Sequence, residues 1–180
     1  MSAREPKYPH ESPERLRELA ALGARRAAQA LGELAGARVA VEPLRTSDAL
    51  KAPPCEMGVL FEVGGRLKGR LGLFLDASTR RTLVRLLLDE EEPEAPAEMV
   101  ASALCELGNI VASQTVSAIA DLLGDGITLS VPRLVLERAG AAFVEAGLAQ
   151  PDDLRDLAFA NALAAPAAEL RMLLVFAPDA

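Results

Sequence analysis

Between Met99 and Leu123 the chain places Ser102, Glu106, Asn109, Ser113 and Ser117 at helical spacing. At about 100° per residue these five side chains fall within roughly 80° of one another, while Val100, Leu104, Leu107, Val111 and Leu122 form an apolar stripe expected to be buried. An acid and a carboxamide three residues apart are neighbours on such a surface. The carboxamide of Asn109 offers one acceptor and two donors without charge. The carboxylate of Glu106 adds a charged acceptor one turn away. A solvated face more often carries Lys and Glu pairs, and this one is nearly uncharged. Gly108 and Asn109 in mid-helix together cost about 1.5 kcal/mol relative to alanines. Two readings follow: a functional acid and amide pair, or a satisfied surface with a local packing glycine.

Other chemistry is hard to assemble from this chain. The string Gly64-Gly65-Arg66-Leu67-Lys68-Gly69 lacks the spacing of a phosphate loop and reads as a hairpin turn. There is no Gly-x-Ser-x-Gly elbow, and the serines have no evident base. Cys55 and Cys105 lie 50 residues apart and His10 is the single histidine. That set supports neither a zinc site nor a Cys/His nucleophile, so no metal is expected and both cysteines read as small buried thiols.

The helix bearing the pair has a counterpart. ELAALGARRAAQALGELAG from Glu18 to Gly36 aligns with ELGNIVASQTVSAIADLLG from Glu106 to Gly124, with identities at Glu18/Glu106, Leu19/Leu107, Ala24/Ala112, Ala30/Ala118, Leu34/Leu122 and Gly36/Gly124. Each segment closes on a glycine suited to a helix C′ position and leads into a short β-like run ending in proline, Val39 to Pro43 and Ile127 to Pro132. In the first copy Ala21 stands where the asparagine would be, and Arg25 intrudes on the same face.

The remaining elements follow from spacing. Glu56 to Val63 and Leu67 to Asp76 flank the Gly64-Gly65 turn as strands, and Ser78 to Leu88 returns to helical spacing. Leu134 to Ala149 reads as a helix with Val135, Ala139, Ala142 and Ala146 along a core-facing side, and Leu157 to Leu163 and Leu170 to Phe176 read as a final pair of strands. The acidic, proline-punctuated run Asp89 to Glu98 reads as a linker. The expectation is an α+β fold: an antiparallel sheet flanked by long helices, built from two pseudo-repeats of about 13–88 and 95–178, as a single domain over 13–180 after a flexible tail of residues 1–12.

The spacing of Ser102, Glu106, Asn109 and Pro132, with gaps of three, two and twenty-two residues, resembles the signature of the CheC/CheX/FliY phosphatases, which dephosphorylate the chemotaxis response regulator CheY. The resemblance extends from about Ser12 over nearly the whole chain, including the duplicated helix and strands, although the family's usual last helix is missing after Phe176. It implies an α+β fold with internal pseudo-two-fold symmetry. It also implies a phosphatase of a CheY-like aspartyl phosphate, in which Asn109 orients the attacking water and Glu106 anchors the receiver domain through a lysine. Ser102, the family's alternative to aspartate, and Ser113 fall to the partner-binding surface, and Gly108 and Pro132 to the structural motif. The first site, with Glu18 and Ala21, is expected to be degenerate, able at most to bind. The protein would need no cofactor of its own, because the receiver brings its own Mg. A CheD-like deamidase is a permitted partner through the helix read at 134–149, and relatives include both monomers and homodimers. A non-catalytic receiver-binding or flagellar-switch adaptor of the same fold is the alternative.

Composition bounds these readings. The chain has 180 residues, 51% of them hydrophobic, with 34 alanines and 3% aromatics, which suits close helix packing. Its net charge of −7 offers nothing to neutralise a phosphate backbone, which argues against nucleic acid and anionic membrane as partners. The uncharged stretch Leu107 to Ala120 contains five polar residues and falls short of a membrane span. Residues 1–13 contain no apolar h-region, so a cytoplasmic location is expected.

Overall fold

The computed structural model describes residues 13–45, 49, 55–89, 94–124, 126–146 and 159–179. The tail 1–12, the acidic core 90–93, and the stretch 147–158 that holds the end of the expected 134–149 helix and the start of the expected 157–163 strand lie outside them. In chain order the elements are α1 (Pro13–Ala35), β1 (Ala40–Leu44), β2 (Met57–Gly65), β3 (Gly69–Leu75), α2 (Ala77–Leu88), α3 (Ala97–Leu123), β4 (Ile127–Leu129), β5 (Arg133–Val135), α4 (Ala139–Glu145), β6 (Phe159–Ala165), a 3-10 turn (Pro166–Ala168) and β7 (Leu170–Pro178).

The seven strands form one antiparallel sheet in the order β1-β6-β7-β3-β2-β4, with β5 also on the outer edge of β2. The arrangement is pseudo-two-fold. Each half contributes a hairpin, β2–β3 or β6–β7, and the halves meet where β3 pairs with β7. The strand following each long helix crosses over to the other half's hairpin: β1 pairs with β6, and β4 and β5 pair with β2.

Strand alternation sorts the core onto two faces of the sheet. Met57, Val59, Phe61 and Val63 of β2 and Met172, Leu174 and Phe176 of β7 join α1, α2 and α3 in the larger cluster. Leu60, Phe74, Leu173 and Val175 face the other way with Ala139 and Phe143. There Phe74 and Phe143 meet edge to face at 5.5 Å and 87°, a favourable aromatic geometry. Gly58 and Gly72 make room for it, since a Cβ on either would come within 2.8 Å of the Phe74 ring.

Alanine and glycine bring the two long helices close together. Ala24, Ala27 and Ala28 of α1 and Ala112 of α3 are buried, and a Cβ on Gly23 would stand 2.8 Å from the Thr115 methyl. Each helix stops at a glycine in the left-handed region, Gly36 at φ 62° and Gly124 at φ 67°, where a side chain would be strained. α2 is capped by Asp76, whose carboxylate accepts from the Thr79 amide at 2.7 Å. The Thr79 hydroxyl donates to the Arg171 carbonyl at 3.0 Å, tying α2 to β7.

Three expectations are corrected. The expected helix 134–149 begins at Ala139: Leu134 and Val135 lie in β5, paired with Val59 and Gly58, and Arg138 at φ 53° breaks the chain before α4. The β-like run from Ile127 does not end at Pro132, because the chain resumes pairing with β2 at Arg133. Leu122 is 48% exposed, since in the last turns of α3 burial has passed to Val116, Ala118 and Ile119. Smaller shifts occur at strand ends, with β3 starting at Gly69 and β6 running to Ala165. Among the described residues, no helix is long and apolar enough to cross a membrane.

Candidate functional site

α3 is held against the sheet on one side, which determines what its opposite side presents. Val100, Leu104, Leu107 and Val111 are buried. Gly108 is buried too, and a Cβ there would come within 2.8 Å of the Val59 side chain. The mid-helix glycine therefore lets α3 lie close over β2, and Asn109 is carried next to that contact.

The polar residues emerge opposite the sheet. Ser102, Glu106 and Ser117 are exposed, and Asn109 and Ser113 are half-buried. Successive members of this stripe are three or four residues apart, so neighbouring side chains lie about 5–6 Å apart at Cβ. Neither the Glu106 nor the Asn109 side chain has a hydrogen bond or ion pair among the described residues. No Lys or Arg occurs in α3, so nothing on the helix neutralises Glu106. Glu106 is thus open to solvent, and Asn109 partly so.

The edge of the sheet beside α3 is irregular. Val63 pairs with Leu129 and Leu60 with Arg133, so three steps along β2 are matched by four on the opposing chain. That extra residue is a β-bulge between β4 and β5. Ser130 secures it, its amide donating to the Glu62 carbonyl at 2.9 Å and its hydroxyl accepting from the Glu62 amide at 2.9 Å. The same hydroxyl lies 3.0 Å from the Val131 carbonyl. Pro132, half-buried, follows directly and needs no ladder partner for the N–H it lacks.

The corresponding face of α1 is built otherwise. Glu18 is exposed but paired with Arg15 at 3.1 Å, Ala21 is half-buried, and Arg25 is exposed. β1 pairs with β6 in unbroken register from Ala40 to Leu44, so no bulge flanks this face. A groove of about 820 Å³ lies beside it, between the end of α1 and β1, lined by residues including Arg25, Gln29, Glu33, Arg38 and Val41. Neither Glu106 nor Asn109 lines it.

The thiols divide between the halves. Cys55 is buried, donates to the Ala49 carbonyl at 3.2 Å, and has its pKa pushed up to about 11 by burial. Cys105 is half-buried and bonds the backbone at Leu134; its pKa is raised by desolvation, with that hydrogen bond opposing the shift. Among the described residues, no group of three or more His, Cys, Asp and Glu is placed to hold a metal ion.

Residues 99–136, which span the polar stripe and the bulge, match the model of the CheC-like family. Solved structures of CheX and FliY share this chain's fold. CheX from Desulfovibrio desulfuricans superposes with a TM-score of 0.65 at 12% identity, covering 90% of this chain and 99% of the other. The complex of CheX with CheY, BeF3 and Mg2+ from Borrelia burgdorferi gives 0.61 at 14% identity, covering 89% and 97%. FliY from Thermotoga maritima gives 0.57 at 19% identity, covering 93% and 92%. In this chain Ser102, Glu106, Asn109 and Ser113 do share one face of a single helix, with Gly108 beneath them. Ser130 and Val131 had no place in the sequence reading. Their signal was the Ser-Val-Pro run that interrupts the alternation begun by Ile127, Thr128 and Leu129.

Proposed function

We propose that this chain is a phosphatase of a phosphorylated CheY-like receiver domain in chemotaxis or related two-component signalling. One observation carries the reading: Glu106 and Asn109 stand one turn apart on a packed helix, with their side chains unengaged within the described chain. The CheX fold crystallised with CheY, BeF3 and Mg2+ supports a receiver as the partner, since fluoroberyllate stands in for a phosphoryl group.

An aspartyl phosphate with its own magnesium already has a good leaving group and a neutralised charge, so what remains is to place a water in line. Asn109 accepts a hydrogen bond from that water through its carbonyl oxygen, and its amide can donate to a phosphoryl oxygen without adding charge. The water oxygen bonds to phosphorus, the acyl oxygen–phosphorus bond breaks, and the receiver carboxylate leaves with its electron pair while the proton passes to inorganic phosphate. Glu106 pairs with a receiver lysine and sets the docking register, with Ser102 and Ser113 leaving room around it. A hundredfold acceleration requires about 2.7 kcal/mol, within the reach of positioning. Magnesium enters with the receiver, and no intermediate forms on this protein.

The first half's face supports a second reading, a receiver-binding adaptor: Ala21 stands there in place of an amide, so a face of this kind need not carry the chemistry. Decay of a phosphorylated receiver domain in magnesium, with and without the protein, distinguishes the two. Faster decay supports the phosphatase, whereas unchanged decay with capture of the fluoroberyllate-loaded receiver supports the adaptor.

A further inference from the structure

Val131 is 83% exposed, the most open of the large hydrophobic side chains among the described residues. Nothing about a strand edge requires this, and a valine left in water forgoes the stabilisation its burial would bring. The backbone around it is nonetheless firmly held. Ser130 bonds both backbone groups of Glu62, Pro132 fixes the next φ, and Arg133 re-enters the ladder opposite Leu60. The bulge thus holds an apolar side chain out on a constrained segment.

Its position along α3 follows from contacts on either side. α3 packs against both β4 and β5, the strands on either side of Val131, and Cys105 neighbours the Leu134 backbone. Val131 lies three residues before Leu134, about 10 Å at strand rise. The chain from Leu123 through β4 to β5 runs back alongside α3, and the same distance at helix rise is six to seven residues beyond Cys105, roughly the level between Asn109 and Ser113. Cys105 and Asn109 are four residues apart, so half-buried Asn109 lies on the flank of α3 between this edge and the outward face.

We infer that Val131 is an apolar docking contact for the receiver domain, held beside the Glu106/Asn109 pair by the bulge. The inference rests on the receiver reading above and adds to it a hydrophobic part of the recognition surface. Charge pairing at Glu106 sets the register, and the valine supplies water exclusion next to the amide. The occupant must then carry an apolar patch beside its phosphorylated carboxylate. β1 lacks the bulge, and Pro43 takes the aligned place of Val131, so the first half presents no such contact.

The test uses the full chain and a receiver domain that wild-type protein dephosphorylates, loaded with fluoroberyllate for binding and phosphorylated for turnover. Val131→Ser is expected to weaken binding and raise KM about fivefold, a loss consistent with partial burial of one valine. It should leave kcat within about twofold and Tm unchanged, since the residue packs against little within the chain. Val131→Ile should restore wild-type affinity, and Leu34→Ser, at a 41% exposed leucine on α1, should bind as wild type. A KM and affinity for Val131→Ser equal to wild type, with turnover intact, would overturn this inference and leave the phosphatase reading standing. If wild-type protein neither captures nor dephosphorylates any receiver of its organism, both fail together.

Discussion

α1 and α3 occupy equivalent places in the two halves of the sheet, and each begins its aligned segment with a glutamate. On α1 that glutamate is tied to Arg15 and followed by Ala21 and Arg25. On α3 it is unengaged among the described residues and followed by an amide over a packing glycine. The neighbouring edges differ in the same sense, since β1 is regular and the β4–β5 edge is bulged. Under the proposed function, sharing this fold is therefore not enough to make a site. What separates the halves is an amide, a free acid, a glycine that lowers the helix onto β2, and one extra residue in a strand.

The largest stability effect is expected at the glycine. Gly108→Val would drive a branched side chain into Val59, already 2.8 Å from a Cβ, and should cost about 2–3 kcal/mol by overpacking. Thermal unfolding should show a drop of several degrees, on the order of 5–10 °C for a domain of this size. Ala20→Gly at the aligned position of α1 should cost only about 1 kcal/mol, through propensity and a lost methyl. Equal losses at the two positions would mean that α3 approaches the sheet no more closely than α1 does.

A second contrast is alkaline. Cys55 has its folded pKa raised from 9.0 to about 11, so the native state holds a proton that the unfolded chain releases first. Its stabilisation is full below pH 9, diminishes above it, and is lost as pH rises through about 11. Wild-type Tm should fall more steeply across that window than the Tm of Cys55→Ala, and parallel slopes would contradict the buried thiol.

The smallest change is expected in the first half. Adding Ala21→Asn to a chain already carrying Asn109→Ala should restore less than about a tenth of the wild-type acceleration, because Glu18 stays engaged by Arg15 and β1 presents no bulge. Substantial rescue in a receiver decay assay would show that the amide alone makes the site.

These contrasts were unevenly legible in the sequence. Helical spacing located α3 to within two residues of its start, and the stripe from Ser102 to Ser117 emerged on the expected side because 3.6-residue periodicity is a local property. Gly36 and Gly124 marked both helix ends for a similar reason. β5 was misread as helix because Leu134 and Val135 suit either period, and only pairing with distant Val59 and Gly58 decides between them. The bulge was invisible for the same cause: an extra residue exists only relative to the strand opposite. Leu122 misled because the buried side of α3 changes along its length as it meets α1, which an ideal wheel cannot show.

The central claim is that Asn109 aligns water and Glu106 holds the receiver. Its most direct test follows phosphate release from one phosphorylated receiver in magnesium with wild type, Asn109→Ala, Glu106→Ala and no protein, each at saturating and limiting concentrations. The account predicts that Asn109→Ala still captures the fluoroberyllate-loaded receiver but releases phosphate no faster than the receiver alone, whereas Glu106→Ala mainly loses capture. Undiminished release by Asn109→Ala, with capture intact, would contradict it.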